Sequence, residues 1–167
     1  MTTLHQLMEK PVYRFAISRL RDPHAAAEVL TETMLDIWRN AGRFEGRSKA
    51  TTWIFGIARY KVLDELRSRE KYQHEELDSN MQDEGAPTLL DRVAALEDNK
   101  ALQHCLDALP ATHQEVVHFT FFQDMHYDEV AEILQCPSGT IKSRMFHARQ
   151  LLKRCLESFC PNILLES

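Results

Sequence analysis

The sequence predicts an all-α protein: two small helical domains joined by an acidic flexible linker, with a helix-turn-helix in the second. Three observations carry this reading. Apolar residues recur at steps of three and four over most of the chain, which is the spacing of one helix face. The periodicity fails across one polar, acidic stretch that ends in Gly85 and Pro87. Towards the C-terminus, two helical patterns meet at a tight Gln135-Cys136-Pro137 break. The expected boundaries are residues 1–72 for the first domain, 73–90 for the linker and 91–160 for the second domain.

A chain of 167 residues allows one or two small domains, and 44% hydrophobic residues suffice for a core in each. No apolar run approaches the roughly 18 residues of a membrane span. The start of the chain, MTTLHQLMEKPVYRF, has no secretion-signal core. These features predict a cytoplasmic protein with no membrane span of its own. Cys105, Cys136, Cys155 and Cys160 include no C-x2-C pair, so reduced thiols in mostly buried positions are expected. His104-Cys105 and Cys155 with Cys160 are poor metal sets, and neither a metal nor a cofactor is expected.

Residues 4–21 read as an amphipathic helix with Val12, Phe15, Ala16 and Leu20 inward. Asp22-Pro23 ends it and suits the start of another, Asp as the cap and Pro in the first turn. The second helix, residues 24–40, is expected to bury Val29 or Leu30, Met34, Ile37 and Trp38. It leaves Glu28, Glu32 and Asp36 in one row at four-residue steps. Such a row is either an ordinary wet face or a docking stripe for a basic partner, since like charges at this spacing repel.

A basic loop bracketed by Gly42 and Gly46 comes next, with Phe44 inside it and Trp53 at the start of a third helix over residues 51–70. Ile54, Ile57, Ala58, Val62 and Leu66 point inward; Arg59, Arg67 and Arg69 are candidates for the outer side. Aromatic rings interleaved with Arg and Lys suit single-stranded nucleic acid, whose bases stack while its backbone meets positive charge. Trp53 serves equally well as a core plug.

Helical periodicity resumes near Leu89 and runs through Leu102, Cys105 and Leu106 to Leu109, before Pro110. Thr112 to Glu115 resembles a capping box. The helix it would open is expected to bury Val116, Phe119 and Phe122. Val130, Ile133 and Leu134 then form one apolar face, and Pro137 can open the last helix. There Ile141, Met145, Ala148 and Leu152 make an inner stripe. Lys142, Phe146, Arg149 and Lys153 lie opposite, beside Ser143 and His147. Residues 136–154 hold five Lys or Arg and no acid. A short buried helix, a turn and a one-sided basic helix can enter a DNA major groove. A basic face is often merely solvated, but Phe146 on the polar side suits a base edge or thymine methyl.

The net charge of −5 conceals this asymmetry. Residues 39–71 carry nine basic groups against four acids, and residues 73–99 carry eight acids against one Arg. Two basic blocks therefore flank an acidic one, and both are possible DNA-facing patches.

Three stretches, EVLTETMLDIWRNAGRFEG, TTWIFGIARYKVLDELR and ALPATHQEVVHFTFFQDMHYDEVAEILQCPSGTIKSRMFHARQLLKR, together resemble the small bacterial sigma factors of the extracytoplasmic-function (ECF) group. The resemblance implies a region 2 domain that grips the β′ clamp helices of RNA polymerase core and melts the minus-ten element. It also implies a region 4 domain that holds the β flap and reads the minus-thirty-five element. On that analogy Glu28, Glu32 and Asp36 face the clamp. Arg43, Lys49, Thr52, Trp53, Arg59, Tyr60 and Arg67 handle the minus-ten strand. Thr140, Lys142, Ser143, Phe146, His147 and Arg149 form the minus-thirty-five reading face. The linker would thread a basic polymerase channel, and an anti-sigma factor is an expected partner.

The chain departs from the family pattern at Thr31, where Gln is usual, at Tyr60, where Asn is common, and at His147, often Arg. The segment before Tyr13 is short, which suggests a truncated first helix. The competing reading is a stand-alone helix-turn-helix regulator of transcription, which would need a sensor or dimerisation module that the N-terminal half does not resemble. No nucleophile–base pair, Gly-rich phosphate loop or metal spacing suggests an enzyme.

Overall fold

The computed structural model describes residues 2–75 and 95–159. Seven α-helices are found among them: α1 (Thr2–Leu20), α2 (Pro23–Asn40), α3 (Ala50–Glu75), α4 (Ala95–Asp107), α5 (Ala111–Val117), α6 (Tyr127–Leu134) and α7 (Ser138–Phe159). A 3-10 turn, Ala41–Arg43, follows α2, and a π turn, His118–Phe122, continues α5. No strand occurs among the described residues. The helices fall into two units, α1–α3 in the first and α4, α5, α7 and α6 up to Ala131 in the second. The expected linker lies outside the described residues from 76 onward; its first three residues are the end of α3 instead.

The corner between α1 and α2 shapes the N-terminal unit. Arg21 takes a left-handed conformation (φ 53°) and donates its N–H to the Ile17 carbonyl at 2.9 Å, closing α1. Asp22 then caps α2, its Oδ1 accepting from the N–H groups of His24 at 2.9 Å and Ala25 at 3.2 Å. Arg69, reaching back from α3, donates to Asp22 Oδ2 at 2.7 Å, to Glu65 Oε1 at 2.8 Å and to the Leu20 carbonyl at 3.4 Å. Arg69 is thus a tie between α3 and the α1–α2 corner, not the outward group expected from the pattern. The first helix has 19 residues.

Val12, Phe15 and Ala16 of α1, Ala26 and Ile37 of α2 and Ile54, Ala58 and Val62 of α3 form the core of this unit. Phe55 joins them, edge-on to Phe15 with ring centroids 6.1 Å apart. Trp38 does not: it is 64% exposed. Adjacent helix residues point about 100° apart, so burying Ile37 turns Trp38 out.

In the C-terminal unit α7 is the spine. Ile141, Met145 and Ala148 of α7 are buried, as are Val116 of α5, Phe119 of the π turn and Val130 of α6, and α4 and α5 pack on α7. The expected capping box is absent. Pro110 occupies the cap position, without a side-chain hydrogen bond, so Thr112 and the buried Glu115 lie inside the helix rather than at its cap. Phe122 is exposed, as is Phe121. The i→i+5 bonding of the π turn adds a residue to the helix and rotates the residues after it by about 100°, out of the core register.

Cys105 and Cys155 form a disulfide between α4 and α7, with Cα atoms 5.7 Å apart, which corrects the expectation of reduced thiols. Proximity of residues 50 apart in sequence is a tertiary fact that cysteine spacing does not reveal. Cys136 is a free thiol, while Cys160 lies outside the described residues. Residues 89–94, where the fourth helix was expected to begin, also lie outside them.

Candidate nucleic-acid interface

The α6–α7 turn positions the basic helix. Gln135 adopts a left-handed conformation (φ 52°), and the Cys136 N–H reaches the Ala131 carbonyl at 3.1 Å. The Pro137 carbonyl accepts the Thr140 N–H at 2.9 Å, so Pro137 stands just before α7 and costs no helical hydrogen bond. Burial of Ile141, Met145 and Ala148 commits one side of α7 to the core. The other side is set by geometry alone. Lys142, Ser143, Phe146, His147 and Arg149 are all exposed, and Thr140 is half-buried at the start of the row.

Phe146 is 58% exposed and meets the His147 ring edge-on at 5.6 Å. Ser143 Oγ donates to the Thr140 carbonyl at 3.0 Å, which leaves its lone pairs outward. The Arg149 guanidinium lies over the ring of Phe121, 5.8 Å from the centroid, so an exposed ring from the π turn supports this cation. Behind the row, burial lowers the pKa of His113 on α5, and the positive surroundings of His147 and Arg144 add to the effect. His113 is therefore held towards its neutral form.

On the N-terminal unit, Arg43, Lys49, Tyr60 and Arg67 are exposed and Arg59 is half-buried. Trp53 is half-buried and packs on Phe44 with centroids 5.2 Å apart and planes tilted by 39°. One part of it thus braces the loop and the rest remains accessible. Thr52 is a correction. At 2% exposure its side chain belongs to the interior, since it sits one turn before the core residue Phe55 rather than on the Trp53 edge.

The acidic row on α2 is not three bare carboxylates. Lys61 of α3 lies 2.9 Å from Asp36 Oδ2 and 3.4 Å from Glu32 Oε2, and its pKa is raised chiefly by the hydrogen bond to Asp36. Glu28 meets only the His24 ring, at 3.5 Å, among the ion pairs of the described residues. Leu35 and Trp38 are exposed on the same helix. They are the residues the sequence reading missed, although the placement of Trp38 directly after a core Ile was a usable signal. Among the described residues no His, Cys, Asp or Glu cluster suits a metal, and no helix is long and apolar enough to cross a membrane.

Residues 4–72 match region 2 of the sigma-70 family, and residues 99–152 match its region 4. The chain is 28% identical over 150 residues to the ECF RNA polymerase sigma factor SigK of Mycobacterium tuberculosis (strain H37Rv), covering 87% of this chain and 80% of that one. It is 26% identical over 156 residues to SigK of Mycobacterium sp. (strain JLS), covering 92% and 81%. Two solved structures share its fold. Sigma factor RpoE of Bartonella quintana, in complex with the anti-sigma factor NepR, superposes with a TM-score of 0.75 at 22% identity, over 94% of this chain and 98% of that one. CnrH, in complex with the cytosolic domain of CnrY, gives 0.68 at 19% identity, over 94% and 87%.

Region 2 and region 4 in this order, matched over most of the chain, make it a member of the sigma-70 class. Within that class the chain belongs to the ECF group of sigma factors.

Proposed function

We propose that this chain binds RNA polymerase core and directs it to a specific set of promoters, without chemistry of its own. The observation that carries the reading is α7. Its inner stripe is buried, and its outer side presents Lys142, Ser143, Phe146, His147 and Arg149 to one partner, with Phe146 exposed for no reason that folding supplies. In this reading the domain of residues 91–160 reads the minus-thirty-five element with that face and holds the β flap. The domain of residues 1–72 melts the minus-ten element with Arg43, Lys49, Trp53, Arg59, Tyr60 and Arg67. It docks on the β′ clamp helices through Glu28, Glu32 and Asp36, with exposed Trp38 and Leu35 adding apolar area, as aromatic residues do at interface centres. The acidic linker, residues 73–90, fits a basic channel by charge. The site of action is the cytoplasm, where the polymerase is.

An anti-sigma factor completes the proposal, since RpoE and CnrH were each solved with a protein partner, in the first case a named anti-sigma factor. The test is run-off transcription by core polymerase, with and without the purified chain, on a promoter library. Template-specific transcripts that need the chain are expected. Binding of the chain to DNA with no effect on core polymerase would refute the proposal.

A further inference from the structure

Lys61 stands between the acidic row and any partner that would use it. Its Nζ contacts Asp36 at 2.9 Å and Glu32 at 3.4 Å, and its side chain is only 20% exposed. The carboxylates are more open, at 60% for Glu32 and 31% for Asp36. One of the row's three negative charges is therefore offset from within the unit, the single ammonium being shared between Asp36 and Glu32. A basic partner must either displace the ammonium from Asp36 and Glu32 or tolerate it as a like charge at the rim. Both work against binding, because an ion pair at this exposure is already satisfied before the partner arrives and a like charge beside the contact repels.

Resting on the docking role proposed for the row, we infer that Lys61 is an internal competitor for Glu32 and Asp36 that weakens attachment to the basic surface of RNA polymerase. Glu28 and the exposed Trp38 lie outside its reach and supply the unattenuated part of the contact. The arrangement sets the affinity for core by the geometry of two neighbouring helices rather than by the number of acids on one of them. Its chemistry also predicts a signature in salt. With Lys61 in place, added salt weakens the internal pair and the intermolecular attraction together, so the loss of affinity is shallow. Without Lys61, only the intermolecular attraction is screened, and the loss is steeper.

The experiment measures the affinity of the whole chain for RNA polymerase core across a salt series. Lys61→Met keeps most of the aliphatic stem and removes the charge. Lys61→Gln, which retains a hydrogen-bond donor for Asp36, is measured beside it so that a packing defect in one variant does not decide the result. Both variants are expected to bind core about twofold to fivefold more tightly at low salt, the fold-change equivalent of a partly exposed ion pair, with a steeper salt dependence. In a Glu32→Gln/Asp36→Asn background the same Lys61 changes should have a smaller effect, limited to relief of the like charge. Unchanged or weaker binding by both folded variants would overturn the inference, as would the unfolding of both, which would make Lys61 a structural tie. The docking role of the row has its own readout. If Glu28→Gln/Glu32→Gln/Asp36→Asn binds core as tightly as the unaltered chain, that role fails; if it binds more weakly while the Lys61 variants do not tighten, only the competitor idea fails.

Discussion

Asp22 does two jobs at one corner, and replacing it separates them. Its Oδ1 caps α2 through the His24 and Ala25 N–H groups, while Oδ2 takes the Arg69 guanidinium at 2.7 Å. Loss of a cap costs about 1 kcal/mol, within roughly 0.5–2. The ion pair, with side chains 34% and 41% exposed, is screened by water and contributes about 0.5–1 kcal/mol. Asp22→Ala should therefore destabilise the N-terminal unit by about 1.5–2 kcal/mol. Asp22→Asn keeps a capping oxygen and should cost only the ionic share. Arg69→Ala also loses Glu65 and the Leu20 carbonyl, so a cost of about 1–2 kcal/mol is expected. Because the two residues share one contact, the double variant should be less unstable than the sum by about 0.5–1 kcal/mol.

The assay is urea unfolding followed by tryptophan fluorescence. The only two tryptophans, Trp38 and Trp53, lie in α2 and α3, so the signal reports this unit alone. Acid adds a second check. The backbone N–H of Ala25 and the Arg69 guanidinium hold the Asp22 carboxyl below the usual carboxylate range. A lowered pKa in the folded state gives stability that is present above the unfolded pKa and lost as pH falls through the folded one. The gap between the unaltered chain and Asp22→Asn should thus be constant above about pH 5 and close in stronger acid. Strict additivity in the double variant, or an Asp22→Asn cost equal to that of Asp22→Ala, would refute the division into cap and pair.

Three further expectations concern the C-terminal unit. Ile141→Ala should cost about 2–5 kcal/mol of stability by opening a cavity, whereas Phe146→Ala should leave thermal stability almost unchanged and shift preference at the upstream promoter element by roughly 1–3 kcal/mol; holoenzyme binding to matched and mutated elements reads the second effect. Gln135→Gly should raise stability by about 0.5–1 kcal/mol in a calorimetric melt, since φ 52° costs a side-chain-bearing residue more than the added freedom of glycine costs the unfolded state. Replacing both Cys105 and Cys155 by Ala should destabilise the unit by up to about 4 kcal/mol, the chain-entropy value for a bridge 50 residues apart, and circular-dichroism melts with and without reductant should differ only when both cysteines are present.

The sequence by itself determined what depends on neighbours in the chain. The 3.6-residue period located the helices and the inner stripe of α7, because Ile141, Met145 and Ala148 need only a common face to be buried together. Asp22-Pro23 announced its cap, and the exposed row of Lys142, Ser143, Phe146, His147 and Arg149 followed from the buried one. The tertiary structure decided what depends on residues far apart or on a change of register. Lys61 meets Glu32 and Asp36 from another helix, Arg69 turns from solvent to Asp22, and Cys105 finds Cys155 across 50 residues, none of which any local pattern encodes. The π turn moved Phe122 out of the core by one inserted residue. Periodicity assigns a residue to a face of its own helix; only packing decides which charges and rings wait on the other side of that face.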